Sequence, residues 1–174
     1  MNGSGGPVYI VLISGSTRAG STNTAALRTA AELDVPGVVA TLWERLVDLP
    51  AFVPDDEAEP PAAVTALRLL LASADAVVFC TPEYAGALPG SFKNLLDWTV
   101  GGPEMYRKPV AWVNASASPT RAAKAHESLE TVQRKKKRKA EPDYMGTFTG
   151  ARKYVLDTFA NSQSALMRSA SRST

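Results

Sequence analysis

The chain has 174 residues, 45% of them hydrophobic, and a formal net charge of +2, which describes one globular domain of ordinary size with material for a substantial core. Its single cysteine, Cys80, excludes an intramolecular disulfide, gives no metal-ligand pattern and points to a reducing, cytoplasmic setting. Met1 to Pro7 is a short Gly/Ser start without a basic region, and no apolar run approaches a membrane span, so neither a secretory leader nor a membrane segment is expected.

In chain order, Val8 to Leu12 is an unbroken apolar and aromatic run that Ile13 closes, as in a buried parallel strand. A hydroxyl-rich turn follows at once, and Ser21 or Thr22 is placed to cap a helix carrying Ala25, Ala26, Leu27, Ala30, Ala31 and Leu33. A strand, a turn and a helix N-terminus offer free N–H groups and the positive end of a helix dipole at one point, which suits an anion. Two familiar phosphate loops do not fit. Gly20 is followed by Ser21 and Thr22 rather than Lys-Ser/Thr, and Gly15 is followed two places later by Thr17 rather than glycine. The turn instead supplies hydroxyls at Ser14, Ser16, Thr17, Ser21 and Thr22, the Asn23 amide and the guanidinium of Arg18. That inventory matches a terminal monophosphate, the plain alternative being a strand-to-helix turn with a solvated arginine.

Pro36 and Gly37 break the chain before a second strand, Val38 to Trp43, and the proline-rich acidic stretch Asp48 to Pro61 reads as a surface loop. A helix is expected from about Ala62, with Val64, Leu67, Leu70 and Leu71 at helical spacing, then a third strand, Asp75 to Cys80, buried on both faces. The following loop turns into a helix at about Pro89. A fourth strand spans Lys108 to Asn114, a small loop covers Ala115 to Thr120, and a helix runs from Arg121 to about Gln133. Strands alternating with helices at this spacing predict an open, doubly wound parallel α/β sheet, which takes ligands outside the carboxyl ends of its strands. Three loops, Ser14 to Asn23, Pro82 to Pro89 and Ala115 to Thr120, should converge there. Tyr84 offers a ring face and Gly86 allows close backbone approach, so a ligand with a phosphate at one end and a flat ring at the other is expected, although Tyr84 would serve equally as a packing residue.

The two stretches GSTRAGSTN and PEYAGALPGSFKNLLDW, in this order and about sixty residues apart, resemble the NADPH-dependent FMN reductase family, a flavodoxin-like group that includes chromate and quinone reductases. The resemblance covers roughly Val8 to Leu129. It implies a three-layer α/β/α fold binding FMN, the phosphate held by Ser16, Arg18, Ser21, Thr22 and Asn23, the ring against Pro82, Glu83, Tyr84 and Gly86, and Ser116 adding a contact. Ala85 stands where many relatives carry Asn, and the loop after the fourth strand has less glycine than the family form. The implied activity is a ping-pong transfer of electrons from NADPH or NADH through FMN to a small acceptor: a quinone, azo compound, metal oxyanion or free flavin. Loop N–H groups would balance charge on the ring, so no side chain is assigned as a catalytic residue, and the lone histidine, His126, reads as structural. Phe92, Leu95, Leu96 and Trp98 are too apolar for a solvated helix face. Core packing accounts for some of them, and the resemblance adds a homodimer or homotetramer interface on this helix.

Charge divides the chain. Through Gln133 there are nine Lys/Arg against fourteen Asp/Glu, and from Arg134 onward ten against three. The expected organisation is therefore an FMN-binding domain over 1–133 and, over 134–174, a basic linker at Arg134 to Lys139 with an atypical tail in place of the usual last strand and helix. Lys153 to Phe159 could form an edge strand and Ser162 to Ser169 a short helix. Two alternatives to the reductase are an FMN-binding electron carrier without NADPH turnover and, ranking last, a nucleic-acid-binding protein acting through the basic run.

Overall fold

A computed structural model of the chain describes residues 6–116 and 122–138, with 133–138 as backbone. Its regular elements are β1 (Val8–Ser14), α1 (Thr22–Ala31), β2 (Val38–Trp43), α2 (Ala62–Ser73), β3 (Ala76–Cys80), α3 (Gly90–Trp98), β4 (Val110–Val113) and α4 (Ala123–Arg138). The four strands pair in parallel in the order β2-β1-β3-β4. Because the chain leaves β1 for one side and returns to the other, the strand order reverses between β1 and β3, and a crevice is expected outside their carboxyl ends. This is the doubly wound, flavodoxin-like α/β fold.

The period-two pattern of the central strands builds two cores. On one face Val11, Ile13, Val77 and Phe79 pack with Val64, Leu67 and Leu71 of α2, Phe92, Leu95, Leu96 and Trp98 of α3, and Ala125 and Leu129 of α4. On the other, Ile10, Leu12, Val78 and Cys80 pack with Leu27 and Ala30 of α1. Every residue of β3 is buried, as its unbroken apolar run requires, whereas β2 alternates between half-buried and exposed up to its buried last residue, Trp43.

The four apolar side chains of α3 are all fully buried in the chain's own core. Core packing therefore accounts for all four of them, where the sequence assigned only some to it. The polar residues of the same helix have local partners: Lys93 pairs with Asp97 one turn on, and Asn94 binds the Pro50–Phe52 segment through both ends of its amide.

α4 also differs from expectation. It continues through Arg134 to Arg138, so the basic run is helical for most of its length and no break in regular structure follows Gln133. Lysine and arginine are good helix formers, and positive charge is favourable in a last helical turn. The strand and helix expected at Lys153 to Phe159 and Ser162 to Ser169, with the atypical tail as a whole, lie outside the described residues.

Candidate flavin site

The β1–α1 turn is held open by its own hydroxyls. Ser14 Oγ, buried at the end of β1, accepts the Ser16 N–H at 3.3 Å and the Thr24 hydroxyl at 2.8 Å. Ser16 Oγ accepts the Arg18 N–H at 3.3 Å, and Ser21, the N-cap of α1, accepts the Thr24 N–H at 3.5 Å. Of the two expected cap residues it is Ser21 that caps, while Thr22 is exposed. The oxygens of Ser16 and Ser21 are thus engaged as acceptors while their hydrogens remain to be donated. The first helical N–H groups, those of Thr22 and Asn23, have no partner within the helix. Arg18 is exposed and forms no ion pair among the described residues.

Gly15 fixes how this turn meets the second loop. A Cβ added there would lie 2.3 Å from Thr81 Oγ1 and 3.0 Å from the Phe92 ring, so no other residue fits without displacing a buried side chain. Its N–H also binds the Cys80 carbonyl at 2.8 Å. The requirement comes from close approach, which the spacing of glycines in the turn does not reveal.

In the second loop, Tyr84 and Ala87 exchange both backbone hydrogen bonds at 3.0 Å around Ala85 and Gly86, which have φ of +51° and +71°. This is a two-residue hairpin of the type that wants Asn-Gly, and here alanine occupies the left-handed position. Tyr84 is half exposed, just before the two turn residues. Gly86 lies beneath the stem of Lys124, whose Cδ would be 3.5 Å from an added Cβ.

Glu83 has a role that its sequence position conceals. Its Oε2 accepts the N–H groups of Lys124 at 3.0 Å and Ala125 at 3.4 Å, so it caps α4 from 41 residues away. The carboxylate is engaged with the third loop's helix, which leaves the backbone of Glu83 as the part free to face a ring. Ser116 is half-buried and its N–H closes on Asn114 Oδ1 at 2.9 Å, which orders the start of the third loop. Residues 117–121 lie outside the described residues.

Cys80 sits where the three loops meet. Its thiol donates to Asn23 Oδ1 at 3.2 Å, and burial pushes its pKa up to about 12, with the nearby Ala115 backbone acting the other way. His126 stands in the first turns of α4 against Trp112, with Nε2 buried and without a partner among the described residues; burial lowers its pKa, and the Glu83 carboxylate acts the other way. The structure thus brings the β1–α1 turn, the Pro82–Gly86 segment and Ser116 to one end of the sheet. Sequence reasoning missed Thr81, Cys80 and Lys124, which carry no motif of their own.

Comparison with known proteins settles the family. The sequence model described as "NADPH-dependent FMN reductase" matches residues 8–134. The chain belongs to the NADPH-dependent FMN reductase family. It is 38% identical over 125 residues to a NAD(P)H-dependent FMN reductase of Pseudomonas aeruginosa, covering 70% of this chain and 67% of the relative. It is 34% identical over 107 residues to the quinone reductase of Escherichia coli K12, covering 59% and 57%. Among solved structures, the flavoenzyme NAD(P)H:acceptor oxidoreductase FerB of Paracoccus denitrificans superposes with a TM-score of 0.65 at 24% identity, covering 91% of this chain and 98% of that one, a likeness of fold. The chain matches between about half and two thirds of the length of these curated relatives. Members of this reductase family are oxidoreductases that work with FMN and NAD(P)H, and the donor set of the β1–α1 turn fits a phosphate monoester: hydroxyl hydrogens, helix N–H groups and one unpaired guanidinium.

Proposed function

We propose that this chain is an FMN-dependent NAD(P)H oxidoreductase that reduces small acceptors of the quinone, azo, metal-oxyanion or free-flavin kind. The observation that carries this reading is the meeting, at one end of the sheet, of a donor-rich phosphate turn with a hairpin that presents a tyrosine face, in a chain of this family. Ser16, Arg18, Ser21, Thr22 and Asn23 would hold the FMN phosphate. Pro82, the backbone of Glu83, Tyr84 and Gly86 would line the ring, with Ser116 closing the third side. FMN, when bound, supplies the redox chemistry, taking hydride from the nicotinamide and passing electrons on. The protein's own contribution is positional: Arg18 and the α1 N-terminus offset the phosphate charge, and the Tyr84 hairpin shapes the ring side of the crevice. In this reading donor and acceptor would enter the one crevice in turn, a ping-pong order. Quinone and azo reductases among the relatives support the acceptor classes. We also assign the flavin domain to the stretch ending at α4, a cytoplasmic setting on the strength of the lone buried cysteine, and a homodimer or homotetramer whose interface uses other surfaces than the buried side of α3.

The test is the visible spectrum of the full chain after FMN loading and removal of free flavin. Retained bands that bleach on anaerobic NADPH addition, with parallel double-reciprocal plots against a quinone, are expected. Bands that persist under NADPH would overturn the reductase reading in favour of a flavin carrier, and absence of bands would overturn the FMN site.

A further inference from the structure

Cys80 is the last residue of β3 and is fully buried among Ile10, Leu12, Leu27 and Ala30. Its carbonyl and its thiol each have a partner in the β1–α1 turn. The carbonyl takes the Gly15 N–H at 2.8 Å, and the thiol donates to Asn23 Oδ1 at 3.2 Å. A thiol has a single hydrogen. Asn23 is the partner within its reach, and the end of the carboxamide that can receive that hydrogen is the oxygen. The two ends of an asparagine amide are nearly alike in shape, so their assignment follows from such partners.

We propose that Cys80 is a positioning residue for the phosphate turn: its S–H pins the Asn23 oxygen and thereby leaves both hydrogens of the Asn23 amide nitrogen for the ligand phosphate. The inference rests on the FMN reading given above. Because burial holds the thiol protonated well beyond neutral pH, the donor is present throughout the working range. A thiol suits the position because it packs as a small apolar group in a core strand while keeping one weak donor. Asn23 makes no other side-chain bond among the described residues. Without the thiol, its amide can turn its oxygen toward the phosphate, where acceptor meets acceptor.

The test compares FMN with riboflavin, which lacks the phosphate, by fluorescence titration of the full chain. The wild type should bind FMN much more tightly. Cys80→Ala should weaken FMN about tenfold while changing riboflavin by no more than about twofold, the size of one lost bond to a charged group. Cys80→Ser, which keeps a donor, should restore the FMN preference, and Cys80→Ala added to Asn23→Ala should lower the preference no further. Should the alanine variant not fold, Cys80→Val fills the volume without a donor and carries the same comparison. An unchanged FMN-to-riboflavin ratio in the donor-free variant, or an equal loss for both flavins, would overturn the positioning role. A wild type that binds both flavins equally would instead overturn the phosphate reading on which it rests.

Discussion

Ala85→Asn should make the folded chain more stable. Ala85 has a φ of +51° in a hairpin closed by two 3.0 Å backbone bonds, and its neighbour Gly86 has a φ of +71°. A residue with a Cβ in the left-handed region carries roughly 1–2 kcal/mol of steric cost, and asparagine tolerates that region better than alanine does. Ala85 is exposed, so little burial changes with the substitution. The expected gain is about 0.5–1 kcal/mol, or roughly 1–4 °C in Tm for a chain of this size. Ala85→Gly removes the same strain but adds about 0.5–1 kcal/mol of unfolded-state entropy, so it should fall between alanine and asparagine. Ala85→Val, β-branched, should be worse than wild type. Urea unfolding of the four proteins at equal m-values reads this order directly. An asparagine variant no more stable than wild type, with valine equally tolerated, would refute the strain assigned to this turn.

Three other outcomes follow from the same contacts. Arg18→Ala should weaken FMN at least about tenfold, because it removes the fixed positive charge of the turn, and a flavin fluorescence titration showing unchanged affinity would sink that placement. Gly15→Ala should cost about 1–3 kcal/mol in urea unfolding, since its Cβ would collide with buried Thr81, and a neutral result would mean the two loops are farther apart than described. His126, held below its ordinary 6.5 by burial, binds fewer protons folded than unfolded, so its stability contribution is complete above about pH 6.5 and declines as pH falls from there through the lowered pKa. His126→Gln should flatten that part of the stability–pH curve, and an unaltered slope would contradict it.

The sheet was legible because its signals are local. The run from Val8 to Ile13 and the buried DAVVFC stretch have no other use, and α2 begins at Ala62 as its spacing predicts. β4 is shorter than expected, beginning at Val110. Pro109 has no N–H for the ladder, and the Lys108 ammonium turns away to the carbonyls of Leu71 and Ala74 at the end of α2. α4 was cut short because a block of like charge reads as linker, although the same residues favour helix. The hydroxyls and arginine of the first turn advertise themselves as an anion site. What stayed hidden are the ties between loops: an alanine in a conformation it disfavours, a glutamate serving a helix far along the chain, and a cysteine whose worth depends on which end of an amide it faces. None of these has a periodicity, and each is set only when distant strands lie side by side.

The glutamate cap on α4 bears on the order in which the molecule assembles. Glu83 and Lys124 are separated by 41 residues, and Cys80 and Asn23 by 57. As the chain emerges from the ribosome, β1 finds β2 early, but its other neighbour arrives only when residue 80 is out, and the start of α4 is tied down later still. No fragment shorter than about the first 125 residues contains both partners of every tie, so the ability to hold flavin should appear in one late step, after most of the sheet is already in place.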